Sequence, residues 1–475
     1  MPAFAWRPVA AVAAVISTVL LLVSPLYGYH RDELYFRWLA EDPAWGYVDQ
    51  PPLTPLLARA AIAVFGDSPT AIRIPALLSA VALVALAALL TRELGGGRRA
   101  QTLAAVGLGL GTFTLIAGHS LLTLSADMPL WAAAILFILK ALLRGEGRWW
   151  LAAGAVLGAA TYNKHLIALL VVGLAAGVLA VGPRRVLRDP YLWAGAALAV
   201  LVAAPNLVYQ IVNDWPQLKM AAALSENKGG EYRVLFLPMQ VLLFGPVVAF
   251  VGWHGWLRLW RDERVRCLAV AYPVAAALTL LSGGRFDYTA GLIIMLFCAG
   301  CVSVADRSWA PGALVANGVL GASFALPLIP VQVLASTPVP YINEVARESV
   351  GWPEFAARVG DSVRALPPQE QARAVLLTGS YGEAGMLRKT AGLPPVYSGH
   401  NQLHLYGPPP ETATVAVAVK LPRRLLDSVF QTCAVSGKVD NGVGVENEFQ
   451  GLDIITCRGL KQSWRTAWPR FQHYS

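Results

Sequence analysis

Two acidic residues, Asp32 and Glu33, stand directly behind Tyr29-His30-Arg31 and open a short run rich in apolar and aromatic residues that ends near Ala40. A carboxylate held at a dry interface can accept a proton from an attacking hydroxyl, the step that general-base catalysis of glycosyl or acyl transfer requires. Successive residues on a helix diverge by about 100°, so one acid of the pair faces a given cavity, and Asp32 is the one expected there. The same two acids would equally complement the dipole of a helix beginning at Arg31. Asp127, in Ser125-Ala126-Asp127-Met128-Pro129, is a second acid of this kind, and it would also serve as the cap of the apolar helix that follows. Lys164, in Thr161-Tyr162-Asn163-Lys164-His165, interrupts two apolar stretches. An ammonium there is costly unless paired; a lipid phosphate or Asp127 would suit it, as would snorkelling to the headgroups. Arg285, in Ser282-Gly283-Gly284-Arg285-Phe286-Asp287-Tyr288, repeats the pattern beside glycines that let backbone approach a ligand.

Polar side chains that would contact a ligand flank these charges. In Gly46-Tyr47-Val48-Asp49-Gln50-Pro51-Pro52-Leu53 the double proline fixes an extended backbone ahead of a helix start, so Asp49 and Gln50 would either cap that helix or, with Tyr47, touch a polar ligand. His119-Ser120 lies just upstream of the Asp127 segment, and His165 just after Lys164.

The elements that must hold these residues are apolar. Of 475 residues 56% are hydrophobic and 14% charged, and the mean hydropathy of +0.51 lies outside the soluble range. Crossing roughly 30 Å of hydrocarbon takes about 20 apolar residues in a helix. About eleven such stretches are read at 8–27, 71–91, 100–118, 128–144, 149–161, 165–182, 190–212, 234–256, 266–282, 288–305 and 311–332. The first lacks a small-residue cleavage site and reads as a retained anchor. The net charge of +9 does not read as a nucleic-acid surface, because the arginines punctuate apolar runs instead of clustering on one face.

With the N-terminus in the cytoplasm, alternate loops carry Arg92, Arg98 and Arg99; Lys140, Arg144 and Arg148; Arg184, Arg185 and Arg188; and Arg258, Arg261, Arg264 and Arg266, as the positive-inside rule requires. The opposite loops carry Asp32, Glu33, Glu41, Asp42, Asp49, Asp67 and Asp127. An odd number of spans then delivers the tail outside. Residues 1–332 are expected to form a transmembrane domain whose long first outer loop, 28–70, carries juxtamembrane helices over 31–40 and 53–65. Residues 333–475 contain no spanning stretch and read as a small mixed α/β extracytoplasmic domain with strands near Ala374 to Thr378 and Thr414 to Val419. Cys433 and Cys457 fall in that domain, where oxidising conditions permit a disulfide, though two buried thiols would also fit. Trp464, Trp468, Phe471 and Tyr474 near the end would lie against a membrane or ligand, or form the domain's own core.

The run Asp32-Glu33-Leu34-Tyr35, the Gly46 to Leu53 motif, Ser125 to Leu130 and Thr161-Tyr162-Asn163-Lys164, in that order, resemble the bacterial glycosyltransferase family 39, the dolichyl-phosphate-mannose-protein mannosyltransferase-like enzymes of the GT-C fold. The resemblance implies an inverting transfer of a sugar from a polyprenyl-phosphate donor to a protein, glycan or lipid acceptor at the outer face of the bacterial inner membrane. It implies Asp32 as the catalytic acid of the first loop, with Glu33 beside it, and Asp127 as a second acidic position. Lys164, His165 and Arg285 become candidates for the donor phosphate, and Tyr47, Asp49, Gln50 and His119 for the substrate. No cofactor beyond the donor is implied with certainty, and a divalent metal stays open, since some GT-C enzymes use one and others do not. Members that add aminoarabinose to lipid A carry a Lys before the double proline, where this chain has Gln50, which argues against that activity. The competing class is a polytopic lipid-linked-sugar transporter or flippase, but the ionisable residues gather at one face and no duplicated pattern is seen.

Overall fold

Apolar sequence becomes helix here almost wherever it is long enough. In the computed structural model, which describes residues 1–475, fifteen α-helices precede residue 327. They are α1 (Trp6–Val23), α2 (Arg31–Leu39), α3 (Leu53–Phe65), α4 (Pro69–Glu93), α5 (Arg98–Gly109), α6 (Thr112–His119), α7 (Thr123–Arg144) and α8 (Arg148–Ala160), then α9 (Ala168–Val181), α10 (Pro190–Val212), α11 (Pro216–Leu242), α12 (Pro246–Arg261), α13 (Arg266–Ser282), α14 (Ala290–Val304) and α15 (Trp309–Ala325). All eleven apolar stretches are helical. By length and composition five helices can cross a membrane, and seven if each of two bent pairs counts as one span.

The bent pairs correct the sequence reading. The stretch 100–118 is not one rod but α5 and α6, bent by 58° at Leu110-Gly111. The stretch 234–256 is divided between α11 and α12, bent by 85°, because Gly245 takes φ +100° and Pro246 follows it. Such a break frees backbone groups that lipid cannot satisfy. Asn317 on α15 supplies the partners: its Nδ2 donates to the Phe244 carbonyl at 2.9 Å and its Oδ1 accepts from the Val247 N–H at 3.2 Å. Residues 216–233, which lie between two of the apolar stretches, are the first turns of α11.

The chain forms two compact units. The first comprises residues 1–24, 44–57 and 70–326, the second 25–43, 58–69 and 327–475. Within the first, helices approach closely through small residues: a Cβ on Gly255 of α12 would strike the Leu296 carbonyl of α14, and one on Gly300 the Val251 carbonyl of α12. Cys298 and Cys301 are buried free thiols of α14, and Cys267 is a third in α13.

In the second unit a five-stranded mixed sheet has the order β2-β1-β3-β5-β4, built from β1 (Ala374–Thr378), β2 (Val396–Ser398), β3 (Val415–Val419), β4 (Phe430–Lys438) and β5 (Asp453–Leu460). β2, β1 and β3 run parallel, while β5 lies antiparallel to β3 and β4. Cys433 and Cys457 sit directly opposite each other on β4 and β5 and are disulfide-bonded. Trp464, Trp468 and Phe471 are buried with Phe430, Leu426 and Val375, so these aromatics form the core of the domain; the Trp464 indole N–H is satisfied by the Ala413 carbonyl at 2.8 Å.

Candidate active site

The first unit gathers one set of the charged residues. α7 begins at Thr123, five residues before the apolar stretch read from sequence, and its first turn is closed by Ser125, whose Oγ accepts from the Leu122 N–H at 3.0 Å and donates to the Ala117 carbonyl at 2.6 Å. Asp127 is therefore not the cap of this helix. It is buried in the second turn with its carboxylate toward Asn163, whose Nδ2 lies 3.4 Å from Asp127 Oδ1 and donates to the Thr123 carbonyl at 2.8 Å. Asn163 Oδ1 in turn accepts from Thr54 Oγ1 at 3.3 Å, and the Leu53 N–H donates to the Tyr162 carbonyl at 2.8 Å. The Pro51-Pro52 corner is thereby pinned to the 161–165 connection.

Lys164 faces the same place. Asp127 and Asp287 are its charged neighbours, and its ammonium lies 6.0 Å from the ring centre of Tyr288. Arg285 Nε donates to Asp287 Oδ1 at 3.0 Å; Asp287 is buried and the Arg285 side chain 46% exposed. The turn that carries Asp287 is braced by Gln240 of α11, which donates to the Phe286 carbonyl at 2.9 Å and accepts from the Thr289 hydroxyl at 2.6 Å and the Tyr272 hydroxyl at 3.2 Å. Two buried carboxylates and two cations thus meet, and the Lys164 ammonium holds neither carboxylate at ion-pair distance. An anionic ligand oxygen is the chemistry such a group is built to take. No group of three or more His, Cys, Asp or Glu side chains is assembled to hold a metal ion.

The remaining candidates of this unit have other tasks. His165 Nε2 bonds to Asn206 Oδ1 at 2.7 Å, and Asn206 donates to the Trp45 carbonyl at 2.7 Å, so this pair ties α10 to the loop before the double proline. Tyr47 is fully buried, its N–H donating to the Gln50 carbonyl at 2.9 Å, and Gly46 lies where any Cβ would strike the Tyr209 ring. Gln50 is buried with its Nε2 unpartnered, a polar group of the kind that a ligand completes. Asp49 sits in the same turn, close enough to Tyr209 to act on it electrostatically. His119, at the end of α6, is buried against Arg73, with Nε2 3.5 Å from its Nη1.

Asp32 belongs to the second unit. α2 is capped at His30, whose Nδ1 accepts from the Asp32 N–H at 3.2 Å, while Glu33 Oε2 accepts from the His30 N–H at 2.8 Å. Glu33, expected beside Asp32 as a catalytic acid, is completely buried and closes this capping box. Asp32 keeps its side chain 31% exposed, and one oxygen accepts from the Tyr381 hydroxyl at 2.8 Å. Burial and the Asp32 carboxylate both push the Tyr381 hydroxyl well above its usual pKa, so it remains a donor. The Tyr381 ring is sandwiched between Tyr35 at 4.6 Å and His400 at 4.8 Å, and His400 stacks in turn on His473 at 4.8 Å. Arg31 pairs with Glu344 at 2.7 Å and with Glu448, which also holds Lys420 at 2.6 Å. Sequence reasoning missed Tyr381, Asp287, Asn163 as a bridge, and Gln240.

Residues 49–209, a third of the chain, match the model of the dolichyl-phosphate-mannose-protein mannosyltransferase family. The match spans Asp127, Asn163 and Lys164. The structure is similar to ArnT from Cupriavidus metallidurans in the apo state, with a TM-score of 0.61 and 16% identity over 94% of this chain and 97% of that one. The chain has the GT-C fold. The same ArnT bound to undecaprenyl phosphate gives a TM-score of 0.61 at 15% identity, with the same coverage. The GT-C architecture extends to the archaeal oligosaccharyltransferase AglB from Archaeoglobus fulgidus, in complex with an inhibitory peptide and a dolichol-phosphate: TM-score 0.51, 14% identity, 89% of this chain and 69% of that one. No curated protein matches the sequence. As a GT-C protein with several helices long and apolar enough to span, the chain is a multi-pass membrane protein.

Proposed function

We propose that this GT-C protein is an inverting glycosyltransferase that moves a sugar from a polyprenyl-phosphate donor to an acceptor hydroxyl. The observation that carries the reading is the Lys164 ammonium, set among Asp127, Asp287 and Arg285 yet joined to neither carboxylate, inside the segment that matches the mannosyltransferase family. Its ligand is the donor phosphate, the group common to the lipids named with the ArnT and AglB structures. Asp127 and Asp287 set opposite charge around the lysine, and Arg285 adds a second donor.

The transfer needs a base to take the proton of the acceptor hydroxyl while that oxygen attacks the anomeric carbon, and Asp32 is the residue that the family resemblance assigns to this task. The bond from that carbon to the donor phosphate oxygen breaks, its electron pair leaves with the phosphate, and Lys164 and Arg285 stabilise the charge. A phosphate is a good leaving group, so no strong general acid is needed, and single displacement inverts the anomeric centre. Tyr381 is a positioning residue that fixes one oxygen of Asp32. The disulfide of the second unit supports an oxidising, extracytoplasmic side for residues 333–475, and the arginine-rich loops support a cytoplasmic N-terminus in the bacterial inner membrane.

The test is release of polyprenyl phosphate by purified protein. Lys164→Ala is expected to lose about 100-fold or more in turnover, the size seen when one donor to a developing oxyanion is removed, and to weaken donor binding. Asp32→Asn is expected to lose turnover and retain the donor. Unchanged turnover in the Asp32 variant would remove that residue from the mechanism, and donor transport without sugar transfer in wild type would make the protein a transporter.

A further inference from the structure

The first unit has a second cation-rich place, made by residues that the proposed chemistry does not use. A cavity of about 950 Å³ lies among the ends of α4, α7 and α12 and the 262–265 turn, bordered by Glu93, Arg144, His254, Arg258, Arg261 and Arg264. Its carboxylates are already committed. Glu93 takes Arg144 in a two-pronged pair at 2.8 and 2.6 Å, Asp262 takes Arg264 at 3.0 and 2.8 Å, and Glu263 lies 3.9 Å from Arg266. Asp262, already held by Arg264, is near enough to Arg258 to act on it electrostatically, but no carboxylate lies within ion-pair distance of Arg258 or Arg261. Arg258 Nη2 meets the Leu94 carbonyl at 3.1 Å, and neither guanidinium forms an ion pair. The two are three residues apart on α12 and therefore neighbours on one face.

A separate feature of the same helix places this pair relative to lipid. Trp253, Trp256 and Trp260 form a stacked stripe along α12, with ring centres 5.2 and 5.6 Å apart. Trp253 and Trp260 are exposed, as is Phe250 one turn earlier. Exposed tryptophans on an apolar helix mark the headgroup level of a bilayer, and their faces offer a surface to acyl chains. His254, Leu257, Arg258 and Arg261 border the cavity from that same helix. Two unpaired guanidiniums, an open cavity and an apolar aromatic flank together match a phosphate carried on a lipid, since guanidinium forks bind phosphate oxygens in pairs and basic pockets at the ends of membrane helices hold anionic headgroups.

We propose that Arg258 and Arg261 bind the phosphodiester headgroup of an anionic phospholipid in this cavity, with its acyl chains against Phe250, Trp253 and Trp260. The site is independent of the glycosyl-transfer reading. The test is native mass spectrometry of the detergent-purified full chain titrated with phosphatidylglycerol or phosphatidylcholine. Phosphatidylglycerol is expected to be retained in preference, and the double variant Arg258→Gln/Arg261→Gln to weaken that retention about tenfold. Arg184→Gln/Arg185→Gln, which removes the same charge elsewhere, is expected to leave it unchanged. Equal retention of the two lipids, no effect of the Arg258/Arg261 variant, or an equal loss in the Arg184/Arg185 control would each overturn the proposal. Displacement of the lipid by glycerol 3-phosphate at the lipid's own concentration would also overturn it, by showing that the ligand is a soluble phosphate. Basal turnover of the double variant in detergent is expected to match wild type.

Discussion

A hydroxyl 2.8 Å from Asp32 decides what that carboxylate can do. Tyr381 donates to one oxygen and so fixes the orientation of the carboxylate. The Tyr381→Phe variant should therefore loosen the orientation of Asp32. Turnover should fall about tenfold as a result, with donor binding unchanged. A fall in the amount of folded protein with turnover per folded molecule unchanged would reduce Tyr381 to packing. Nothing in the sequence announces this residue: it lies 349 positions from its partner, in a helix whose start reads as an ordinary strand-to-helix turn. Asp32 and Lys164 were legible because each is a charge at an apolar boundary. Asp287 was not singled out, because beside Arg285 it reads as half of a local ion pair, and its burial becomes visible once α14 and the 286–289 turn are in place.

Helices obeyed the hydrophobic pattern in existence and failed it in continuity. Periodicity over 234–256 is unbroken, so the bend at Gly245 depends on a glycine conformation and on a partner, Asn317, drawn from a helix about 70 residues away. The sequence contains Gly245-Pro246 as the signal, but glycine and proline are common within membrane helices and do not by themselves impose a right-angle turn. Asn317 is buried and answers both the Phe244 carbonyl and the Val247 N–H. Asn317→Leu keeps the branching at Cγ and removes both partners, so two backbone groups lose their bonds in an apolar surround, costing about 1–3 kcal/mol each. Thermal unfolding of the purified protein in detergent should show a lower midpoint for Asn317→Leu, while Asn213→Leu, at an exposed helix end, should change little. Equal midpoints would mean that the bend does not rely on Asn317.

At the scale of the molecule, composition announced a membrane protein followed by a mixed domain, but the grouping of residues 25–43 and 58–69 with residues 327–475 was illegible, because it rests on contacts between distant segments and not on any local pattern. That grouping has a consequence for acid stability. In the second unit His400 is buried, stacked between Tyr381 and His473, with Nδ1 accepting from the Tyr381 N–H at 3.1 Å and Nε2 2.7 Å from Ser475 Oγ. Burial, and then the nearby His473, lower its pKa from 6.5 to about 3. Because the folded value is the lower one, the unfolded chain takes up the proton first: the stabilisation is complete above pH 6.5 and is lost as pH falls toward 3. The loss reaches about 2 kcal/mol by pH 5. Glu448 follows at lower pH. Burial alone would raise it, but Arg31 and Lys420 outweigh burial and hold it at about 2, so its contribution persists above pH 4.5 and fades toward 2. Hydrogen exchange of the full-length protein, corrected for intrinsic rates, should show peptides around β2 and residues 468–475 losing protection between pH 6.5 and 4.5 while α14 stays protected. In His400→Gln that early loss should disappear and the later one remain, because a neutral amide has no proton to gain; a variant that loses protection along the wild-type curve would assign the acid sensitivity to another group.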